Sequence, residues 1–234
     1  QKVTVVYKKL PKELISDVNS ILEIDESDKV LGHELFQGGD KEVYNMSTDI
    51  FVVDTPYLIE KLEEEAAKEE PRKLRYVLRD LAVAENAFAY EYTGYLSNIH
   101  SVKAYFDANL DMLESEKFYK LFAPNQKVYT KVKNEEPTYY ATSSEVKVSQ
   151  FASGSIVRGK VDHSVVSRNV DVAEGSSVDH SVLFPRVKVG KGATVEYAIV
   201  DKGVEIAEGV TIRGTENNPV VIKKGSVVTE DIVR

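Results

Sequence analysis

The apolar positions of this chain follow two rhythms. Up to residue 140, short β-like runs alternate with stretches of helical spacing, and beyond it the apolar residues recur with a long, regular period. In the first part Lys2 to Lys8 is rich in Val and Tyr. Ile21 to Asp25 and Lys29 to Glu34 flank the turn-forming Glu26, Ser27 and Asp28, a hairpin pattern. Tyr44 to Asp54 holds another β-like run, Ile50 to Val53. Thr55 then reads as an N-cap with Pro56 at the first helical position, and Tyr57, Leu58, Leu62 and Ala66 space an apolar stripe along a helix that stops near Pro71. A second helix is predicted from Lys73 into Leu81, and a half-buried strand over Ala87 to Tyr92, ended by Gly94. From Ser101, a capping residue, Val102, Tyr105, Phe106, Asn109, Leu110 and Leu113 recur at helical spacing. This is an α/β mixture. It has too few strands to complete a nucleotide-binding sheet, and it contains neither a G-x-G-x-x-G nor a P-loop pattern.

The second part repeats. Val161, Val178, Val195 and Ile212 are each 17 residues apart, as are Val172, Val189 and Ile206. VDHSVV (161–166), VDHSVL (178–183) and VEYAIV (195–200) are copies of one text, and VDVAEG, VKVGKG and VEIAEG (from 170, 187 and 204) of another. VVIKKG (220–225) reads as a further copy arriving one residue early. Aliphatic positions also recur at six, as in Val172 to Val178. A six-residue step gives a short strand and a tight turn, so three steps close a triangular coil, and the next coil stacks on it about 4.8 Å away as a parallel neighbour. The repeating aliphatic residue then points to the axis, while Gly175, Gly192 and Gly209 suit corners where a Cβ collides. An antiparallel sandwich draws no benefit from an in-register period of 17.

Composition sharpens the division. Twelve of the 13 tyrosines lie at or before Tyr140. Residues 141–234 carry 12 Lys plus Arg and 12 Asp plus Glu, so the whole net charge of -8 sits in residues 1–140. The boundary is placed in a linker at 124–145, between a first domain over 1–123 and a second over 146–234. The acidic balance speaks against a nucleic-acid partner. With no cysteine there is no disulfide, thiolate metal site or Cys nucleophile, and four His remain for imidazole chemistry. No apolar run reaches the roughly 20 residues of a membrane helix, and Gln1 opens a strand-like run without a signal-peptide core, so a cytoplasmic setting is expected for what reads as a piece of a longer protein.

Hexapeptide-type β-helices occur mainly in acyltransferases and as appendages of sugar nucleotidyltransferases, and the first half separates these. Gly94-Tyr95-Leu96-Ser97-Asn98-Ile99-His100-Ser101, followed by AYFDANLDML, resembles the G-Y-W-x-D-V-G-T and A-Y-W-x-A-N-x-D-L segment of glucose-1-phosphate adenylyltransferase. Asn45-Met46-Ser47 with Ile50-Phe51-Val52 is similar to that family's S-M-G-I-Y-V-F strand, and VSQFASGSIVRGKVDHSVV (148–166) to the opening coil of its C-terminal domain. The resemblance implies the C-terminal part of an α/β nucleotidyltransferase domain, then an all-β left-handed parallel β-helix of about 17 residues per coil. It also makes Asn45, Met46, Ser47, Gly94, Tyr95 and Asn98 remnants of a substrate pocket.

The departures point away from catalysis. Where the family has the metal-binding Asp of G-Y-W-x-D, this chain has Asn98, and the stretch Gly32 to Gly39, where the family's E-K-P lysine belongs, contains no Lys and no Pro. Leu96 replaces the Trp, and His100 the small Gly. Nucleotidyl transfer depends on positioning and on positive charge around phosphates. The combination resembles the noncatalytic, D-type subunit of that enzyme: no cofactor bound by this chain, Mg²⁺ for the family reaction, and a catalytic subunit as oligomer partner. Alternatives are an active sugar-phosphate nucleotidyltransferase with its Gly-rich loop upstream, and a hexapeptide acyltransferase using His163 or His180 as general base. Those two His, 17 apart, are expected to stack on one face as a surface ladder, with Tyr197 in the same place one copy on. Arg158, Arg168, Arg186 and Lys188 are candidates for a sugar-phosphate effector.

Overall fold

A computed structural model of the chain describes residues 2–122, 128–131 and 133–234. Residues 124–127 and 132 of the expected linker lie outside the described residues. The chain forms two compact units, one ending at Thr93 and one running Gly94–Arg234.

In the first unit β1 (Val3–Pro11) alternates as the sequence does: Val3, Val5 and Tyr7 are buried and the residues between them are half-buried. It pairs antiparallel with β4 (Val43–Val53) and parallel with β5 (Phe88–Glu91). The predicted hairpin is β2 (Ser20–Ile24) and β3 (Val30–Leu35), giving the order β3-β2-β4-β1-β5. The β-like run seen at Ile50 to Val53 is the second half of a longer strand. Val6 pairs with Ile50 but Tyr7 with Ser47, so Thr48 and Asp49 form a bulge that breaks the alternation. Helices α1 (Thr55–Ala66) and α2 (Leu74–Ala84) supply Tyr57, Val77, Leu81 and Ala82 to a core shared with Val3, Val5, Leu22 and Val30. The cap of α1 is Asp54 rather than Thr55: its Oδ1 accepts from the Tyr57 amide at 3.1 Å, and its charge suits the positive helix end.

The second unit is a left-handed parallel β-helix of about six turns. Its first face stacks Glu145–Val146, Lys160–Asp162, Ser177–Asp179, Thr194–Glu196, Thr211–Arg213 and Ile232–Val233. The second face runs from Gln150–Phe151 through Val182–Leu183 to Val220–Ile222, and the third from Tyr139–Tyr140 through Lys188–Val189 to Val227–Val228. Every pairing is parallel, and the repeat predicts the register directly: Val161 meets Val178, Val178 meets Val195, and Val195 meets Ile212. These side chains line a continuous aliphatic axis with Val166, Leu183, Val200, Val172, Val189 and Ile206.

The period breaks at both ends. Val146 pairs with Val161 and Val157 with Val172, steps of 15, because the corner at Arg158-Gly159 is two residues shorter. A Cβ on Gly159 would lie 2.5 Å from the Ser176 carbonyl, so no other residue fits that turn. Near the C-terminus Val200 pairs with Ile222 and Ile206 with Val228, steps of 22. VVIKKG is therefore not an early copy of VEIAEG. It stacks on Ala198–Val200 after five additional residues loop out around Thr215 and Asn218, and the partner of Ile206 is Val228.

The strands Tyr139–Tyr140 and Glu145–Val146 put the end of the expected linker inside the coil, and Tyr140 packs edge-on against Phe151 at 5.4 Å. Upstream, α3 (Val102–Leu110), capped by Ser101 through the Ala104 amide, leads by a 3₁₀ turn to α4 (Ser115–Leu121). Phe106 is buried against Val182 and Ile199 of the coil, with Tyr105, Leu110 and Phe184 around it. The Gln150 amide donates to the Met112 carbonyl. These contacts place the compact division at Thr93/Gly94, upstream of the 124–145 boundary that composition suggested.

Candidate functional site

The residues read as a pocket remnant fall in both units: Asn45, Met46 and Ser47 in the first, Gly94, Tyr95 and Asn98 in the second. Met46 and Ser47 are buried in β4. Asn45 lines a cleft of about 320 Å³ with Glu23, Glu34 and Lys41. Lys41, which the motif reading missed because it follows the Gly32–Gly39 stretch, is the single cation there and faces two carboxylates. A phosphate gains little in such surroundings. Within that stretch His33 stacks on Phe51 at 6.1 Å, and both ring nitrogens are buried without a hydrogen-bond partner. Burial first, and then the nearby Arg79 charge, pushes its pKa down to about 4, against a smaller opposing effect of Asp49. Arg79 itself is buried and holds Asp49 through both carboxylate oxygens at 3.0 Å.

In the second unit Tyr95 donates its hydroxyl to Asp111 at 2.9 Å. Burial and then that bond raise its pKa to about 12. Lys117 meets the same carboxylate at 2.6 Å, so this pair ties the Gly94 segment to the helical turn. Asn98 is exposed, and its backbone carbonyl accepts from the His100 amide at 3.1 Å. Mg²⁺ is a hard cation that takes carboxylate oxygens. A neutral, solvent-facing Asn98 does not fit the role that the family gives an Asp at this place.

Three of the four effector candidates are held in ion pairs. Arg158 pairs with Asp171 at 2.6 Å, Arg168 with Glu135 at 3.0 Å and Lys188 with Glu205 at 2.7 Å. Asp171, Lys188 and Glu205 sit on successive rungs of the third face, a ladder of alternating charge. Among the described residues Arg186 makes no ion pair; it occupies a corner with φ 63°.

A corner that the motif search set aside carries more structure. Val148, His163, His180 and Tyr197 recur at one corner of successive rungs, all with φ between 35° and 46°. The other two corner ladders mostly use Gly or Asn in this left-handed region, as at Gly175, Gly192, Gly209, Asn169 and Gly203. A bulky side chain costs about 1–2 kcal/mol there. The rings of His163 and His180 stack at 4.7 Å and 3°, and His180 stacks on Tyr197 at 5.0 Å. Each imidazole is held by its neighbour in sequence: His163 Nδ1 lies 2.8 Å from Asp162 Oδ1 and His180 Nδ1 2.9 Å from Asp179 Oδ1. The surface ladder expected from the spacing is thus present, and it forms one wall of a pocket of about 650 Å³ whose other wall is α3, with Phe106 and Asp107, and the 3₁₀ turn after it, with Asp111.

The stacked triangular rungs define a hexapeptide β-helix protein, and residues 132–233 match the family model described as GlmU-like, C-terminal hexapeptide. The glycogen biosynthesis protein GlgD of Bacillus subtilis (strain 168) is 34% identical over 198 residues, 84% of this chain and 55% of that protein. GlgD of Geobacillus stearothermophilus is 52% identical over 127 residues, 54% of this chain and 37% of the relative. A glucose-1-phosphate adenylyltransferase of Bacillus mycoides (strain KBAB4) is 36% identical over 88 residues, 38% of this chain and 23% of the enzyme. Over these stretches the chain is similar to GlgD proteins and to a glucose-1-phosphate adenylyltransferase. It spans about half the length of the first of these relatives and less of the others. Among the described residues no helix is long and apolar enough to cross a membrane.

Proposed function

We propose that the chain is part of a regulatory or structural subunit of glucose-1-phosphate adenylyltransferase, serving glycogen biosynthesis in a bacterial cytoplasm. The reaction joins ATP and glucose 1-phosphate into ADP-glucose and releases pyrophosphate. The subunit acts on it by association with a catalytic partner in an oligomer rather than by its own chemistry. One observation carries the reading: where the family resemblance implies a metal-binding carboxylate stands exposed, neutral Asn98, and the Gly32–Gly39 stretch, where it implies a phosphate-pairing lysine, contains none. These residues then supply neither the metal carboxylate nor the sugar-phosphate lysine that adenylyl transfer would use. The kinship with two GlgD proteins, both named for glycogen biosynthesis, supports the pathway.

The test is an assay of the full-length protein with ATP, glucose 1-phosphate and Mg²⁺, alone and mixed with a catalytic subunit from the same source. The protein alone should form ADP-glucose at background rate, co-elute with the catalytic subunit on gel filtration, and change its rate or its response to sugar phosphates. Turnover by the isolated protein at ordinary enzyme rates, or separate elution with no kinetic effect, overturns the proposal.

A further inference from the structure

The His163–His180 corner belongs to neither the pocket remnant nor the effector candidates, and its chemistry is specific. A carboxylate only accepts hydrogen bonds, so the contacts of Asp162 and Asp179 to Nδ1 require that nitrogen to carry the proton in each neutral ring. That leaves Nε2 of both imidazoles with a free lone pair. A carboxylate behind a histidine is also the arrangement that orients metal-binding imidazoles and raises their basicity. Because the two residues occupy the same position on adjacent parallel rungs, and the rings are 3° from parallel, the two lone pairs point the same way side by side. His163, Asp179 and His180 offer one ligand atom each within 4.8 Å of one another.

The surrounding charge selects the sign of the ligand. Asp107, Asp111, Glu114 and Glu216 line the pocket with these imidazoles; Lys103 pairs with Asp107 and Lys117 with Asp111 and Glu114, which leaves an excess of negative charge. Such a wall favours a cation and repels a phosphate. Two imidazoles, with no thiolate in the chain, match zinc and neighbouring divalent transition metals rather than Mg²⁺ or Ca²⁺, which take oxygen. A tetrahedral zinc ion holds its ligand atoms about 3.4 Å apart. The stacked rings stand 4.7 Å apart, so binding requires the two Nε2 atoms to close toward the zinc spacing.

We propose that His163 and His180 bind one divalent transition-metal ion, of which zinc is the type, through their two Nε2 atoms on the face of the β-helix beneath α3, with Asp162 and Asp179 orienting the rings from behind. Water fills the remaining positions, and the ion bridges two rungs at the corner where the backbone conformation is costliest.

Zinc chloride titrated into the tag-free 234-residue chain by calorimetry tests this directly, with cobalt(II) as a visible-absorbing substitute. One ion per chain is expected. His163→Asn and His180→Asn, chosen because Asn tolerates a left-handed backbone, should each weaken binding at least tenfold, Asp179→Asn should weaken it, and His100→Asn should leave it unchanged. A measurement on the unaltered chain keeps the test decisive if a variant fails to fold: of the four imidazole proton signals, those of His163 and His180 should shift with zinc and those of His33 and His100 should not. Absence of binding overturns the proposal, as does binding that survives His163→Asn/His180→Asn with unchanged circular dichroism, or zinc shifts confined to His33 and His100.

Discussion

His33 shows how one side chain sets the pH response of its surroundings. Within the Gly32–Gly39 stretch this chain holds a largely buried imidazole whose pKa falls from 6.5 to about 4. The folded state therefore refuses a proton that the unfolded chain accepts. Its contribution to stability is intact above pH 6.5 and erodes as pH falls from 6.5 toward about 4. Between neutral pH and about pH 4.5 this costs the first unit roughly 2 kcal/mol, with allowance for partial solvent access. His33→Phe, which keeps the stack on Phe51, should remove most of that loss. It should also match or exceed wild-type stability at neutral pH, since two unsatisfied nitrogens leave the interior. Urea denaturation of both proteins at the two pH values checks this, and equal pH slopes would contradict it.

At the level of elements, α3 attaches to the coil through one side chain above all. Phe106 is the largest fully buried residue of the chain and sits on Val182 and Ile199. Phe106→Ala should cost about 3–5 kcal/mol where a cavity forms. The helix has its Ser101 cap and a few ion pairs to hold it otherwise. The effect should therefore appear as hydrogen exchange and proteolysis spreading over 102–121 while the rungs at 160–213 stay protected. This docking was not legible in the sequence. Helical spacing of Val102 to Leu113 marks an apolar stripe but says nothing of what it covers, and the composition change at 140 drew the expected boundary to the linker. The rungs, in contrast, were readable residue by residue, because a period of 17 fixes both strand positions and register. The errors were confined to places where local geometry overrides the period: the Arg158-Gly159 corner and the loop before Val220. The His corner lay between these cases. Its stacking followed from the spacing, but the carboxylate behind each ring and the helix across the pocket needed the three-dimensional arrangement.

For the whole molecule, a stack in which each rung touches only its neighbours distributes stability unevenly. Val195 is fully buried between Val178 and Ile212, whereas among the described residues Val228 has a rung neighbour on one side, Ile206. Val195→Ala should cost about 2 kcal/mol and Val228→Ala under about 1 kcal/mol, since a terminal position relaxes around the missing methyls. Thermal denaturation followed by circular dichroism measures both, and equal losses would argue that the second unit melts as one block without end effects.

An axis built from near-identical valines has a drawback: any rung fits almost any other, so a misthreaded coil shifted by 17 residues would satisfy the interior nearly as well. The irregular steps of 15 and 22 remove that degeneracy, because a shifted chain would bring a two-residue corner or a five-residue loop against rungs shaped for neither. The imperfections of the repeat thus act as the chain's indexing marks.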